Sequence, residues 1–189
     1  KKTNYSFLRT CICINTLNNP IRDYLNLDTL YISFLRNILT PAINELKKHK
    51  ISFLIHKYKH DPKVLNYGLE AAEKLNLDPS RVYKTLLAEI NPKELVVCLI
   101  PVNKSLNLKV VANSFKSKNA LMANKDEAQK ATGYLLGGIS AFGQKKKHRT
   151  LLDISAKEYE TIYISGGKRG LDIEVNPKDI IDILNSKYE

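Results

Sequence analysis

The order of the elements constrains this chain most, because short strand-like runs follow one another without long amphipathic helices between them. Thr40-Pro41 reads as a cap followed by proline at the first helical position, opening a helix to about residue 48. Residues 51–58 alternate enough to be a strand, which would put His56, Tyr58 and His60 on one face if it continued. The run 67–75, rich in Ala, Glu, Lys and Leu, predicts a helix, and Asp78-Pro79 starts a short one. Residues 82–89 and 94–100 read as strands about a turn at Asn91-Pro92. Helices are expected over 106–113 and 125–131, the second closing at Gly133. A strand over 149–154 follows, then a hairpin of 161–164 and 171–175 about the glycine-rich residues 165–170. Asn176-Pro177 caps a last helix with Ile180, Ile181, Ile183 and Leu184 on its apolar side. Parallel crossover units are missing from this order, so the expected class is α+β: one domain with a curved mixed sheet rather than a doubly wound one.

Residues 1–39 differ in character, mixing Asn, Thr, Tyr and Leu with no sustained period. They lack the clean apolar stretch and small-residue cleavage site of a bacterial secretion signal. An organelle transit peptide and translation upstream of a start near Leu39 both remain open. The segment is expected to lie outside the domain formed by 40–189 and to contribute nothing to chemistry.

No run of about 18 apolar residues occurs, which excludes a transmembrane helix of the usual kind. Thirty Lys and Arg against 19 Asp and Glu give a net charge of +11, which favours a polyanionic partner, commonly nucleic acid. A soluble protein that is simply coated with lysine would show the same excess. The three cysteines, Cys11, Cys13 and Cys98, form no zinc-ligand pattern, and an odd count points to a reducing compartment such as the cytoplasm. Cys98 sits in an apolar run and reads as a buried, inert thiol.

Two glycine-rich segments, 132–140 and 165–170, are candidates to bring backbone N–H groups close to an anion or a carbonyl oxygen, with plain turn geometry as the alternative. Neither is a P-loop or a G-x-G-x-x-G fingerprint, and no G-x-S-x-G nucleophile elbow occurs. The run Lys145, Lys146, Lys147, together with Lys168 and Arg169, suits an RNA backbone, although a solvated lysine-rich edge has the same composition. Lys84 is the notable single residue. Strand parity puts it with Val82 and Leu86, opposite Tyr83 and Thr85, so it would be half-buried and would need an anion or a carbonyl as partner.

Six ordered stretches then resemble the YbaK/EbsC family from about Thr40 to the C-terminus. They are Thr40-Pro41-Ala42, residues 70–75, Tyr83-Lys84-Thr85-Leu86, residues 129–134, Gly137-Gly138-Ile139-Ser140 and residues 165–171. The resemblance implies a curved mixed sheet, a partial barrel surrounded by helices, and a trans-editing hydrolase that removes cysteine from mischarged tRNA(Pro) without a metal or organic cofactor. Editing of Ala-tRNA(Pro) and a non-catalytic module that binds tRNA or a synthetase are the rival readings. The implied partners are mischarged tRNA(Pro) and prolyl-tRNA synthetase. Matched motif by motif, the family's essential lysine falls on Lys84 and its carbonyl-facing glycine on Gly137. Substrate-binding positions fall on Tyr58, Tyr67, Thr85, Gly138, Ser165, Gly167 and Asp172. Tyr67 stands where phenylalanine is usual, and residues 1–39 have no counterpart. The family reading has the substrate's own thiol attack its ester carbonyl, with N–H groups at Gly137 and Gly167 as candidates to hold the oxyanion.

Overall fold

The computed structural model describes residues 39–189; the extension expected over 1–39, with Cys11 and Cys13, lies outside the described residues apart from Leu39. Helix α1 (Pro41–Lys48) starts where the Thr40 hydroxyl accepts the Ile43 N–H, and its apolar side buries Ile43 and Leu46. Strand β1 (Phe53–Lys57) and helix α2 (Tyr67–Lys74) follow, then a 3-10 turn, Pro79–Arg81. The chain continues through β2 (Val82–Ile90), β3 (Glu94–Pro101), α3 (Leu108–Ser114), β4 (Ala120–Met122) and α4 (Lys125–Thr132). It ends with β5 (Thr150–Leu152), a 3-10 turn at Ile154–Glu158, β6 (Ile162–Lys168), β7 (Leu171–Val175), α5 (Pro177–Leu184) and β8 (Lys187–Tyr188).

The strands form one mixed sheet in the order β1-β7-β6-β2-β3-β5-β8, with β4 attached to β2. The β1/β7, β7/β6, β2/β3 and β2/β4 pairs are antiparallel, while β6/β2, β3/β5 and β5/β8 are parallel. This is the α+β class with a curled, mixed sheet expected from the element order. One edge of β2 is shared. Val82 and Tyr83 pair with β6, Ala88 to Ile90 pair with β4, and residues 84–87 between them have no strand partner on that side among the described residues. The sheet forks there.

Alternation along β2 separates two environments. Tyr83 and Leu87 are buried on one face, which the strand registers share with Leu99, Leu152, Ile164 and Ile173, also inaccessible. On the other face Val82 packs with Ala71, Ala72, Val102 and Tyr163 beneath α2. Ala88 and Ile90 pack with Val96, Cys98, Val111, Ala112 and Phe115 beneath α3. Lys84 and Leu86 lie between these two clusters, covered by neither.

Three sequence expectations need correction. The strand before Tyr58 ends at Lys57, so Tyr58 and His60 do not continue its face. The second glycine-rich segment is mostly strand: β6 runs through Ser165 to Lys168 with a bulge between them, leaving Arg169-Gly170 as the turn. Strand 149–154 is only three residues long, because Asp153 caps the following 3-10 turn by accepting the Ser155 N–H.

Candidate functional site

The fork in the sheet opens into a cleft of about 460 Å³. Its floor carries Lys84, Ser165 and Asp172, and its walls include Tyr58, Tyr67 and Gly137. Thr85 also borders it, with its Oγ1 buried and without a hydrogen-bond partner among the described residues. Register explains the gathering. Ser165 is opposite Asp172 across β6 and β7, and Lys84 is two residues beyond Val82, which faces Tyr163.

Lys84 is half-buried. Its ammonium donates to the Val102 carbonyl at 3.1 Å and to the Lys104 carbonyl at 2.6 Å. These are the carbonyl partners that its place on the Val/Leu face required. An ammonium has three hydrogens, so one remains for a ligand. Burial lowers the lysine's pKa, while the two carbonyl oxygens at its nitrogen favour the charged form, which has a hydrogen for each of them and a third left over. The carbonyls come from the loop after β3, and the Lys104 side chain anchors that loop by reaching Asp153 Oδ1 at 3.3 Å.

Asp172 is 6% exposed, and burial raises its carboxyl to about 7. Such a group exchanges a proton readily near neutral pH. Burial and the nearby Asp172 also push the Tyr58 hydroxyl up, so it remains a neutral hydrogen-bonding group. Tyr67 packs so closely on Gly137 that a Cβ there would come within 2.7 Å of the ring. Gly137 also has φ +80°, which an L side chain rarely adopts. His60 steadies the chain before Tyr67: its Nδ1 lies 2.6 Å from buried Glu70, whose other oxygen accepts the Asp61 N–H.

The structure does not bring every predicted site residue to this cleft. Gly138, Gly167, Lys168 and Arg169 line a neighbouring recess with Tyr134 and Pro41. Gly138 lies against the backbone of Lys168, Gly167 lies against Tyr134 and Thr40, and the Gly167 N–H is directed to Ser165 Oγ at 3.3 Å. The bulge in β6 explains this, since it turns the residues after Ser165 away from the floor. Lys145, Lys146 and Lys147 are exposed, and Lys146 and Lys147 line further recesses beside His148. Sequence reasoning missed Leu65, Leu136 and Ile139 in the walls and the Val102 and Lys104 carbonyls. Only the parity of Lys84 hinted that such carbonyls must exist.

Among the described residues no group of three or more His, Cys, Asp or Glu side chains could hold a metal ion, and no helix is long and apolar enough to cross a membrane. An α+β fold with a curled mixed sheet and helices around it is the fold of the aminoacyl-tRNA editing domains. The chain belongs to that family, YbaK/EbsC: the model for the aminoacyl-tRNA editing domain matches residues 62–183. It is 32% identical over 149 residues to the Enterococcus faecalis protein named "Putative Cys-tRNA(Pro)/Cys-tRNA(Cys) deacylase EbsC", covering 79% of this chain and 90% of that one. It is 27% identical over 118 residues to the uncharacterized protein YwhH of Bacillus subtilis, covering 62% and 74%. Among solved structures, one of a hypothetical protein superposes with TM-score 0.71 at 19% identity, over 79% of this chain and 98% of the other. A second, described as "a putative trans-editing enzyme for prolyl tRNA synthetase", superposes with TM-score 0.67 at 16% identity, over 80% and 96%.

Proposed function

We propose that this chain is a cytoplasmic trans-editing deacylase whose main substrate is Cys-tRNA(Pro). The observation that carries the reading is the Lys84 ammonium, held on two carbonyls with one hydrogen to spare, in a cleft also lined by Gly137 and Asp172. An aminoacyl ester is already activated, so the site needs to position it and favour attack. The substrate thiol has an ordinary pKa of about 8.5, and a neighbouring ammonium lowers it toward neutrality. The thiolate attacks the ester carbonyl of its own residue. The C–S bond forms, the C–O bond to the ribose breaks, and the tRNA oxygen leaves with a proton. Water then opens the cyclic thioester. The Gly137 N–H faces the oxygen that gains charge in the first step. Asp172 in its ionised form suits the substrate's α-ammonium group, and Tyr58, Tyr67, Thr85 and Ser165 shape the space around it. Selection of tRNA(Pro) is assigned to prolyl-tRNA synthetase as a partner, since the exposed lysines offer charge without sequence reading.

The test is deacylation of tRNA(Pro) charged with cysteine, S-methylcysteine or alanine. Cysteine should be released quickly and the other two slowly. Lys84→Ala should lower kcat/KM at least about a thousandfold, and Lys84→Arg should not restore it, because a rigid guanidinium fork is a poor substitute for a compact ammonium. Rapid release of S-methylcysteine would eliminate thiol attack, and preferential release of alanine would move the substrate assignment.

A further inference from the structure

Arg169 is expected from sequence to hold RNA phosphate, yet its side chain is engaged with the protein. Its Nε donates to the Leu136 carbonyl at 2.9 Å, and its guanidinium lies over the Tyr67 ring, 4.8 Å from the centroid. Leu136 C=O and Gly137 N–H belong to one peptide unit. That unit is planar and trans, so its carbonyl and its N–H point in opposite directions. Fixing the carbonyl on Arg169, on the recess side, therefore fixes the N–H away from the recess. That N–H has no protein partner among the described residues, and Gly137 borders the cleft. The preceding peptide is braced as well, since the Leu136 N–H donates to Gln129 Oε1 at 3.1 Å. Tyr67 lies against both Gly137 and Arg169, so the same guanidinium holds the ring that limits sideways movement of the glycine.

We infer that Arg169 is a positioning residue: from outside the cleft it orients the Leu136–Gly137 peptide so that the Gly137 N–H can stabilise the oxyanion, with Tyr67 as the second half of the clamp. This rests on the editing reading above. A charged donor on the carbonyl also polarises the peptide and makes its N–H a stronger donor. The planar Nε–H and the stacked face act together, and lysine supplies neither in that geometry. Arg169 is exposed, so its removal leaves the fold intact.

The experiment compares Arg169→Ala and Arg169→Lys in two measurements. Steady-state deacylation of Cys-tRNA(Pro) is followed over a range of salt concentrations, and the ¹⁵N-labelled free protein is examined by NMR at the Gly137 amide. Both variants should lower kcat about tenfold or more, less than the 10²–10³ for losing an oxyanion donor outright. The salt dependence of KM should stay as in the wild type, and the Gly137 ¹⁵N resonance should move in both variants as its preceding carbonyl loses the arginine. A phosphate contact would give the opposite pattern: unchanged kcat in Arg169→Ala, a raised KM with a shallower salt slope, and rescue by lysine. That pattern would overturn the inference. If the wild type released no amino acid from any tRNA, the editing reading would fall. The NMR arm would still decide the coupling, and an unmoved Gly137 resonance would overturn it.

Discussion

Residues 132–140 and 165–170 each carry three glycines and look alike as sequence, but their backbone groups have different fates. The first segment leaves α4 through Gly133 at φ +79° and crosses to Ser140 without joining a strand. Its peptides are held by side chains, Gln129 and Arg169, which leaves the Gly137 N–H available. The second segment is built into the sheet, where Ser165 pairs with Asp172 and Lys168 with Leu171. Its ends belong to the ladder, and in the bulge between them the Gly167 N–H goes to Ser165 Oγ and the Gly166 carbonyl accepts the Thr40 hydroxyl, so it contributes side chains: Ser165 to the floor and Arg169 to the clamp. Glycine content therefore does not tell whether a segment offers its backbone to a ligand. Pairing decides that, and pairing is long-range.

The largest effect expected from this contrast concerns the residue that the second segment pulls inside. Asp172 has a folded-state pKa of about 7 against an ordinary 3.8. Between those values the native protein binds more protons than the unfolded chain, so stability falls as pH rises from about 4 to about 7 and stays reduced above. At about 1.4 kcal/mol for each tenfold change in proton affinity, the loss is at most roughly 4 kcal/mol. Denaturant titrations at about pH 4.5 and about pH 8, on either side of most of that range, should show the decline in the wild type and its absence in Asp172→Asn. A decline of equal size in the asparagine variant would place its origin elsewhere.

Next in size is Gly137→Ala, where the new methyl would overlap Tyr67 and the backbone sits at φ +80°. Deacylation kcat should drop about a hundredfold, about 2.7 kcal/mol of transition-state stabilisation. Gly167→Ala probes the other segment. At φ +100°, with Tyr134 and Thr40 3.0 and 3.1 Å from the added Cβ, it should lose on the order of 1–2 kcal/mol of stability. Its kcat per folded molecule should barely change. Equal losses of kcat in the two variants would break the distinction. The smallest effect belongs to replacing Lys145, Lys146 and Lys147 together with glutamine. KM should rise a fewfold at low salt and converge on the wild type as salt is added, with kcat unaltered.

Features that rest on neighbouring residues were legible in the sequence. The caps at Thr40, Asp78 and Asn176, each followed by proline, start helical turns where expected. The parity of Val82, Lys84 and Leu86 located the half-buried lysine. What was not legible depends on distant partners. Strand β4 has three residues and β8 two, too short for a period to show. Ser165 to Lys168 reads as loop because glycine is rare in strands, yet β7 recruits it. The acceptors of Lys84 lie 18 and 20 residues further along as backbone carbonyls, which carry no sequence signature. Arg169 was legible only as charge, because its carbonyl partner is 33 residues away.

The forked edge of β2 also bears on how such a site can change over generations. Its floor is a gap between two strands that share a third, so it is set by backbone pairing at Val82–Tyr83 and Ala88–Ile90. Point substitutions rarely move such pairing. The walls at Leu86, Leu136 and Ile139 are side chains that can be exchanged for larger or smaller ones without moving Lys84. A lineage can thus retune which amino acid it accepts while inheriting the ammonium and its two carbonyls intact. The fork acts as a fixed socket and its rim as an adjustable fitting.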